Sequence, residues 1–538
     1  MIINSMLVKK GSVIPPVVET YKVRWFDYDG SILKTELVTV SGSNATPPAN
    51  PDHTAIGLTF QEWNSDSLDI VCDRDIGATY VTTDDKLHIL LTSTSTSSFT
   101  IILNITNPTT GTEFTINWGD GSAEQIITTT GVLNISHLYT LVLNRDLTVW
   151  RSAGTGNLIL GVNDDDFSLI GNNTTNESFV VRIFTPSYSR GSSGSFNGFT
   201  NLYALVLHSQ FTITGYNCLA STGLSFIVVP NCNTSLTGEA VISYNSKLVR
   251  IALNQNLVNI SNYLFTSCSS LVEINIPKNL KLTYGYVFSL CTALSKINKL
   301  SDYPAVTAVS TNSFKSTLIS SIKIPEGYTA IAGNAFESSG LTSIEIPASV
   351  TLLSGNAFLN SLYLQSVTIL GHPAIGSSTF SGCRALRTVD LGTSSLGTGA
   401  TSLFSSCFAL EEITIPSGFT SIPQSCFQNC YGLTSIVILE GITTIGTNAF
   451  TYCKSLPRID LPESLTSVSG SNTFGYCRAL KTVVLKYTGG VVTLSNVDIF
   501  STCHEELKFY VPDALVDAYK IATNWVTYAD RIHPMSEL

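Results

Sequence analysis

The chain has 538 residues, of which 13% are charged, with a formal net charge of -10 and a pI near 5.2. It is too long for one ordinary core, so several domains, or a few small domains plus a repeat array, are expected. The acidic balance and the lack of a basic stripe argue against a nucleic-acid partner, because phosphate binding is driven by clustered Lys and Arg that release counterions. No apolar run of about 18 or more residues offers a membrane span. With so few charges, much of the solvent-facing surface must be covered by Ser, Thr, Asn and Gly, a composition common on extracellular adhesins and virion fibres.

Residues 1–18 read as a short extended arm ending in Pro15-Pro16. The first thirty residues lack the charged region, the run of about 7 to 15 apolar residues and the small-residue cleavage site of a secretory signal, so export by a signal peptide is not expected. In residues 19–90, the segment from Tyr21 to Asn64 alternates as strands around an Asp29-Gly30 turn. Through Asp27, Asp29, Gly30, Pro47-Pro48 and Trp63 it resembles the Listeria-Bacteroides (internalin B-type) repeat, which implies a small β-grasp-like stalk module. In residues 91–185, Trp118-Gly119-Asp120-Gly121-Ser122 followed by His137-Leu138-Tyr139 resembles a PKD-type module, implying an immunoglobulin-like sandwich in which these residues stabilise a turn and pack two strands. On that reading His137 is a structural histidine beside a Trp core and not a catalytic one. Asp164-Asp165-Asp166 would suit a hard cation, but without a Gly-spaced loop or a following Glu the run reads as a solvated turn.

Residues 186–510 repeat themselves. The frame F-x-x-C-x-x-L-x-x-I-x-I-P stands at Phe265, Phe336, Phe404, Phe450 and Phe474, and its leading position can be followed from Phe196 through Leu219 and Ile242 to Phe500 in about fourteen turns of roughly 22 to 26 residues. Pairs such as Ile274 and Ile276, or Ile413 and Ile415, alternate with period two and predict a short strand with one buried face. Stacked turns make these strands a parallel sheet. The Pro that follows, as at Pro277, Pro347 and Pro416, cannot donate to the ladder and ends each strand. A second apolar set, such as Ile442, Ile445 and Phe450, closes the core from the opposite wall; one turn cannot bury it alone, and only neighbouring turns can. With Asn-Ala-Phe at Asn334, Asn356 and Asn448, the pattern resembles the BspA-like class of leucine-rich repeats. Residues 511–538 look like that family's closing segment, which implies a helical cap with Leu515, Tyr519 and Ile521 or Trp525 inward. The fold class expected is mainly β: two small domains, a solenoid and a cap.

Of the 12 cysteines, Cys268, Cys291, Cys383, Cys407, Cys430, Cys453, Cys477 and Cys503 share one repeat position, where other turns carry Phe199, Asn245 or Ser361. A position that accepts such substitutes reads as a packing site for free thiols stacked about 5 Å apart, with side chains too parallel for disulfide torsions. No paired motif or His partner suggests zinc, and neither a cofactor nor a metal is expected.

No nucleophile elbow, phosphate-binding loop, zinc-protease motif or dinucleotide fingerprint stands in a strand-to-helix context, and only 7 residues are His. The best candidate surface is the strand-lined face, with Glu273, Asn275, Lys323, Glu345, Asp390, Glu412, Arg458 and Asp460 outward. Asp390 and Glu412, on adjacent turns at offset positions, stand on a diagonal of roughly 7 to 8 Å. That overlaps an inverting-glycosidase pair, but Thr388, Thr414 and Val437 beside them form no pocket that would raise a carboxyl pKa, so a solvated binding face is the reading. The expected function is non-catalytic adhesion to a host cell-surface glycan or protein. The missing signal favours a phage head or tail fibre, joined to virion structural proteins through its N-terminus, over a bacterial surface or secreted adhesin.

Overall fold

In the sequence Tyr-Lys-Val-Arg-Trp-Phe, alternation sends Tyr21, Val23 and Trp25 to one side of strand β1 (Tyr21–Phe26) and Arg24 and Phe26 to the other. All five are buried. β1 pairs antiparallel with β2 (Ile32–Val38) and parallel with β4 (Arg74–Thr82), which pairs antiparallel with β3 (Leu58–Trp63), giving the order β2-β1-β4-β3. This is the β-grasp-like sheet expected. Asp27 is internal to it, accepting the Tyr80 hydroxyl and facing His53 Nε2, both at 2.6 Å. The computed structural model describes residues 20–39, 42–68, 73–93, 99–107, 110–139, 144–153, 158–160, 179–185, 189–191, 195–200, 202–277, 280, 284–297, 307–397 and 399–538. The N-terminal arm and Asp164–Asp166 lie outside the described residues.

The second module is a sandwich. One sheet contains β5 (Leu87–Ser93), β7 (Glu113–Asn117), β8 (Gln125–Ile127), β10 (Asn144–Ala153) and β12 (Phe179–Phe184); facing it are β6 (Phe99–Asn107), β9 (Gly131–Tyr139), β11 (Leu158–Leu160) and β13 (Ser189–Gly191). Trp118 and His137 stack at 4.5 Å and 10°, and His137 Nε2 meets Asp120 at 2.7 Å. Burial alone would raise the Asp120 carboxyl, but hydrogen bonds from Ser122 and His137 hold it well below the usual carboxylate range. The histidine therefore braces a turn. β12 also pairs in parallel with β14 (Leu202–Val206), so the sandwich sheet runs directly into the first turn of the array.

The solenoid has about 14 turns held by three columns of backbone hydrogen bonds. Parallel strands such as Ser343–Ile346 on Ser366–Ile369 form one column, and two-residue strands such as Thr444–Ile445 on Ser467–Val468 form a second. The third is a turn column, in which Phe336 N–H donates to Ala357 O (2.8 Å) and Phe450 N–H to Thr473 O (2.8 Å). Phe side chains from Phe265 to Phe500 stack nearly parallel behind it at 5.1–5.7 Å. Leu219 and Ile242 occupy the same buried position in the early turns and enter the same hydrogen-bond column. The residues two before and two after the ladder position have left-handed backbone: Asn334 and Ser338 (φ 57 and 56), Asn356 and Asn360 (φ 62 and 56), Asn448 and Tyr452 (φ 57 and 64). Asparagine tolerates this region better than most residues, so the Asn of Asn-Ala-Phe is a backbone requirement.

Both ends are covered. One continuous apolar cluster runs from Leu87 and Phe114 in the sandwich, through the ladder, to Trp525 and Ile532. At the C-terminus, Tyr519 and Trp525 are fully buried, and Trp525 Nε1 donates to Val492 O (2.7 Å) while the Tyr519 hydroxyl accepts from Val492 N (3.0 Å). The helix spans only Val516–Ile521, because Ala522 turns extended and Asn524 turns left-handed; Ile521 is 82% exposed, and Trp525 takes the inward place.

The β-grasp module is not an extended stalk. The side of its sheet bearing Arg24 and Phe26 lies on the strand face of the early turns, with Phe26 against Phe226 (5.1 Å between ring centroids) and Asn64 Nδ2 donating to Val229 O and Ala252 O. At Gly77 a Cβ would stand 2.6 Å from Val228, so only glycine permits this approach. Arg24 binds Asp75 through two bonds (2.6 and 2.9 Å) and reaches Glu273 at 2.8 Å; Glu273 also meets Arg250 (3.2 Å) and Lys296 (2.9 Å).

Two outcomes test these assignments. Asn356→Val should lower stability by about 1–2 kcal/mol in urea unfolding, the cost of left-handed backbone for an ordinary side chain, whereas Asn356→Gly should cost less; equal losses would contradict the backbone role. At Glu273, burial raises the carboxyl but hydrogen bonds and charge from Arg24 and Lys296 outweigh it, bringing its pKa down to about 2. A depressed carboxyl contributes stability above its unfolded pKa of about 4.3 that is lost as pH falls through the folded value. The difference in melting midpoint between wild type and Glu273→Gln should therefore be full above about pH 5 and shrink toward pH 2.

Candidate functional site

Six successive strands of the solenoid each point two side chains outward. Along the face these positions carry Ser343 and Glu345, Ser366 and Thr368, Thr388 and Asp390, Glu412 and Thr414, Ser435 and Val437, then Arg458 and Asp460. Their alternate neighbours, among them Ile344, Val367, Ile413 and Ile459, are buried. The strand period thus sets which residues can touch a partner.

Six of the eight candidate residues lie on the open part of this face or at its margin. Glu345, Asp390, Glu412 and Arg458 are exposed on strands, Asp460 is half-buried, and Lys323 is exposed on an irregular segment one turn earlier. Arg458 holds Asp460 through two bonds (2.7 and 3.0 Å). Glu273 and Asn275 are not open: they are 8% and 4% exposed, Glu273 within the ion network that anchors the β-grasp module. Their strand pattern is identical to that of the open turns, so only the docked module distinguishes them.

The structure brings Asp390 and Glu412 together. The strand ladder is interrupted between Thr388–Asp390 and Glu412–Ile415, which belong to different sheets. A shallow groove of about 440 Å³ lies across the interruption, lined by Thr368, Thr388, Asp390, Gly392, Glu412, Thr414 and Val437, among others. Gly392 is left-handed (φ 52), and a Cβ there would stand 2.6 Å from Ile369 O. Asp390 Oδ1 accepts the Gly392 N–H at 2.9 Å, closing the turn. Both carboxylates face solvent among hydroxyl side chains, so the groove offers hydrogen-bond acceptors and a small apolar floor to a ligand spread over several turns. Among the described residues, no group of three or more His, Cys, Asp and Glu could hold a metal ion.

The cysteine column has a property that the packing reading omits. Each thiol donates to the carbonyl of the ladder residue one turn earlier: Cys291 to Phe265 O (3.0 Å), Cys407 to Phe380 O (3.1 Å), Cys453 to Phe427 O (3.2 Å). Asn245 Nδ2 makes the same bond to Leu219 O (2.7 Å), and Ser361 Oγ to Phe336 O (2.8 Å). The shared feature is a donor. The signal was present in the Asn and Ser substitutes; Phe199, which has none, stands in the first turn, where no earlier ladder carbonyl exists. Burial pushes the Cys268 and Cys383 thiols up to about 12. In the native protein at pH 8, alkylation should therefore spare Cys268, Cys291, Cys383, Cys407, Cys430, Cys453 and Cys477 and mark the partly exposed Cys232 and Cys503; unfolding in urea should expose them all to mass-spectrometric detection. Fast labelling of the buried seven in folded protein would contradict this arrangement.

Stacked turns of this length, with one long and one two-residue strand per turn and an internal aromatic column, define a leucine-rich-repeat solenoid. The chain belongs to the BspA-type leucine-rich repeat family: the family described as BspA type leucine rich repeat region (6 copies) matches residues 166–243, 237–365, 307–432, 360–481 and 397–518. Among solved structures it is similar to a leucine-rich repeat protein from Bacteroides ovatus (21% identity, 65% of this chain and 76% of that chain, TM-score 0.39). It is also similar to a leucine rich cell surface protein from Faecalibacterium prausnitzii (22% identity, 66% and 90%, TM-score 0.34) and to the pneumococcal vaccine antigen PcpA (15% identity, 64% and 75%, TM-score 0.30). No curated protein matches the sequence. Among the described residues, no helix is long and apolar enough to cross a membrane.

Proposed function

We propose that this is a non-catalytic adhesion protein that presents the strand face from Ser343 to Asp460 to a protein or glycan on a host cell surface. The observation that carries the reading is the face itself: six successive strands turn mostly hydroxyl and charged side chains outward over a continuous apolar core, with a groove at the ladder interruption. A broad array of this kind fits a macromolecule, since its contacts extend over many repeats. Acid catalysis would need an apolar enclosure to keep one carboxyl protonated, and both Asp390 and Glu412 are exposed.

As its setting we propose a virion appendage, a phage head or tail fibre held to the particle through the N-terminal modules. The low charge content and neutral polar cover support a particle surface. A bacterial surface or secreted adhesin is the second reading, favoured by the similarity to a Faecalibacterium cell surface protein. Mass spectrometry of purified particles separates the two, and absence of the protein from virions sinks the first.

Binding of the purified chain to whole bacteria and to a glycan array tests the activity. The double variant Thr368→Arg/Thr414→Arg, which places bulk on the open face without touching the core, should weaken binding at least about tenfold with unchanged circular dichroism, while incubation with glycans should release no sugar. Binding untouched by the double variant would reject the face, and sugar release abolished by Asp390→Asn would reject the non-catalytic reading.

A further inference from the structure

A second exposed feature lies along the turn edge of the solenoid, apart from the strand face. Four residues after each ladder position, five successive turns carry Arg384, Phe408, Tyr431, Lys454 and Arg478. Phe408 and Tyr431 stack at 4.9 Å and 6°. The Arg384 guanidinium lies 5.2 Å from the Phe408 ring centre, and the Lys454 ammonium 4.3 Å from that of Tyr431 and 5.5 Å from that of Tyr452. Tyr452 stacks in turn on Tyr476 at 4.5 Å. The outer faces of the aromatic pair are thus capped by cations, leaving ring edges and the Tyr hydroxyl toward solvent.

The charges on this edge fall in one row. Arg384, Lys454 and Arg478 are exposed, and among the described residues none has a carboxylate within ion-pair distance. Several cations elsewhere on the array are paired, Lys315 with Glu337 (2.8 Å), Arg387 with Glu411 (3.3 Å) and Lys481 with Glu506 (2.9 Å), while others without a carboxylate partner among the described residues, such as Lys247 and Lys323, stand singly and not in a row. In a protein of net charge -10, three cations in one row therefore stand without local neutralisation. Neighbouring turns are about 4.8 Å apart, so the row spans roughly 19 Å, and Lys454 and Arg478 sit on adjacent turns where like charges repel. An anion between them would relieve that repulsion.

We infer that this edge binds an acidic polysaccharide laid along the solenoid axis, with its carboxylate or sulfate groups on Arg384, Lys454 and Arg478 and its hydroxyls on the Tyr431 edge. A linear row matches a linear polyanion, and phenol hydroxyls can donate to and accept from sugar hydroxyls. Single-stranded nucleic acid fits less well, because it needs open ring faces for base stacking and these faces are occupied.

The test uses the full chain on immobilised polygalacturonate, dextran sulfate and neutral dextran in low salt. Binding to one or both acidic polymers and not to neutral dextran is expected, weakened at least tenfold in Arg384→Gln/Lys454→Gln/Arg478→Gln and retained in Lys315→Gln/Arg387→Gln/Lys481→Gln, which removes the same charge from paired cations. Whichever acidic polymer binds identifies the anionic group. No binding to either, equal binding to neutral dextran, equal loss in both triple variants, or tighter binding to single-stranded DNA overturns the inference. Because the edge is separate from the strand face, Thr368→Arg/Thr414→Arg should leave polyanion binding unchanged; loss there would assign it to the face instead.

Discussion

The spacing between turns governs this molecule. Backbone hydrogen bonds set successive turns roughly 5 Å apart, so every side chain lies directly over its counterpart in the next turn. A residue type is acceptable at a repeated position only if it packs well against itself. Phe rings meet that demand by stacking, at 5.1–5.7 Å along the ladder. Thr and Ser meet it on the outside, as where Thr443 and Thr466 hydroxyls each donate to the carbonyl of the equivalent Thr one turn earlier. Charged residues do not, because a repeated charge becomes a column of like charges. The 13% charge content therefore follows from the stacking as well as from any demand of the surroundings.

The same constraint makes the ends the weak points, since the terminal turns have apolar surface and no counterpart to cover it. The two ends are solved differently. At the N-terminal end the sandwich lends a strand, and β12 continues the sheet into the array. At the C-terminal end Trp525 and Tyr528 close over Phe500 and Phe509 in edge-to-face and tilted contacts, replacing the parallel stack by a geometry that cannot propagate. The β-grasp module then covers the strand face of the early turns, which leaves the later turns as the open surface.

What could be read from the sequence follows from whether an interaction repeats. The ladder, the strands and their ends were legible because each recurs in register, and even Leu219 and Ile242 fall on the column. The left-handed role of Asn356 and the donor role of the cysteine position were present as patterns of substitution but required the backbone path to interpret. The docking of the β-grasp module was not legible. Arg24 and Glu273 are 249 residues apart and occur once, and each resembles any outward strand residue until the partner surface is seen. For the same reason Glu273 and Asn275 read in the sequence as open-face residues. The placing of Asp390 and Glu412 on adjacent turns follows from strand register, whereas the groove between them does not; the ladder breaks there, where the ladder spacing rises from 22 residues (Phe358 to Phe380) to 24 (Phe380 to Phe404).

The hydrogen-bonded thiol column has a further consequence. Small export-ready domains often reach full stability only after oxidation, when disulfides close. Here the cysteine positions contribute as donors in their reduced form, and none of the described cysteines closes a bridge. The array therefore needs no disulfide to complete its core, and burial keeps the thiols in their protonated, donor form.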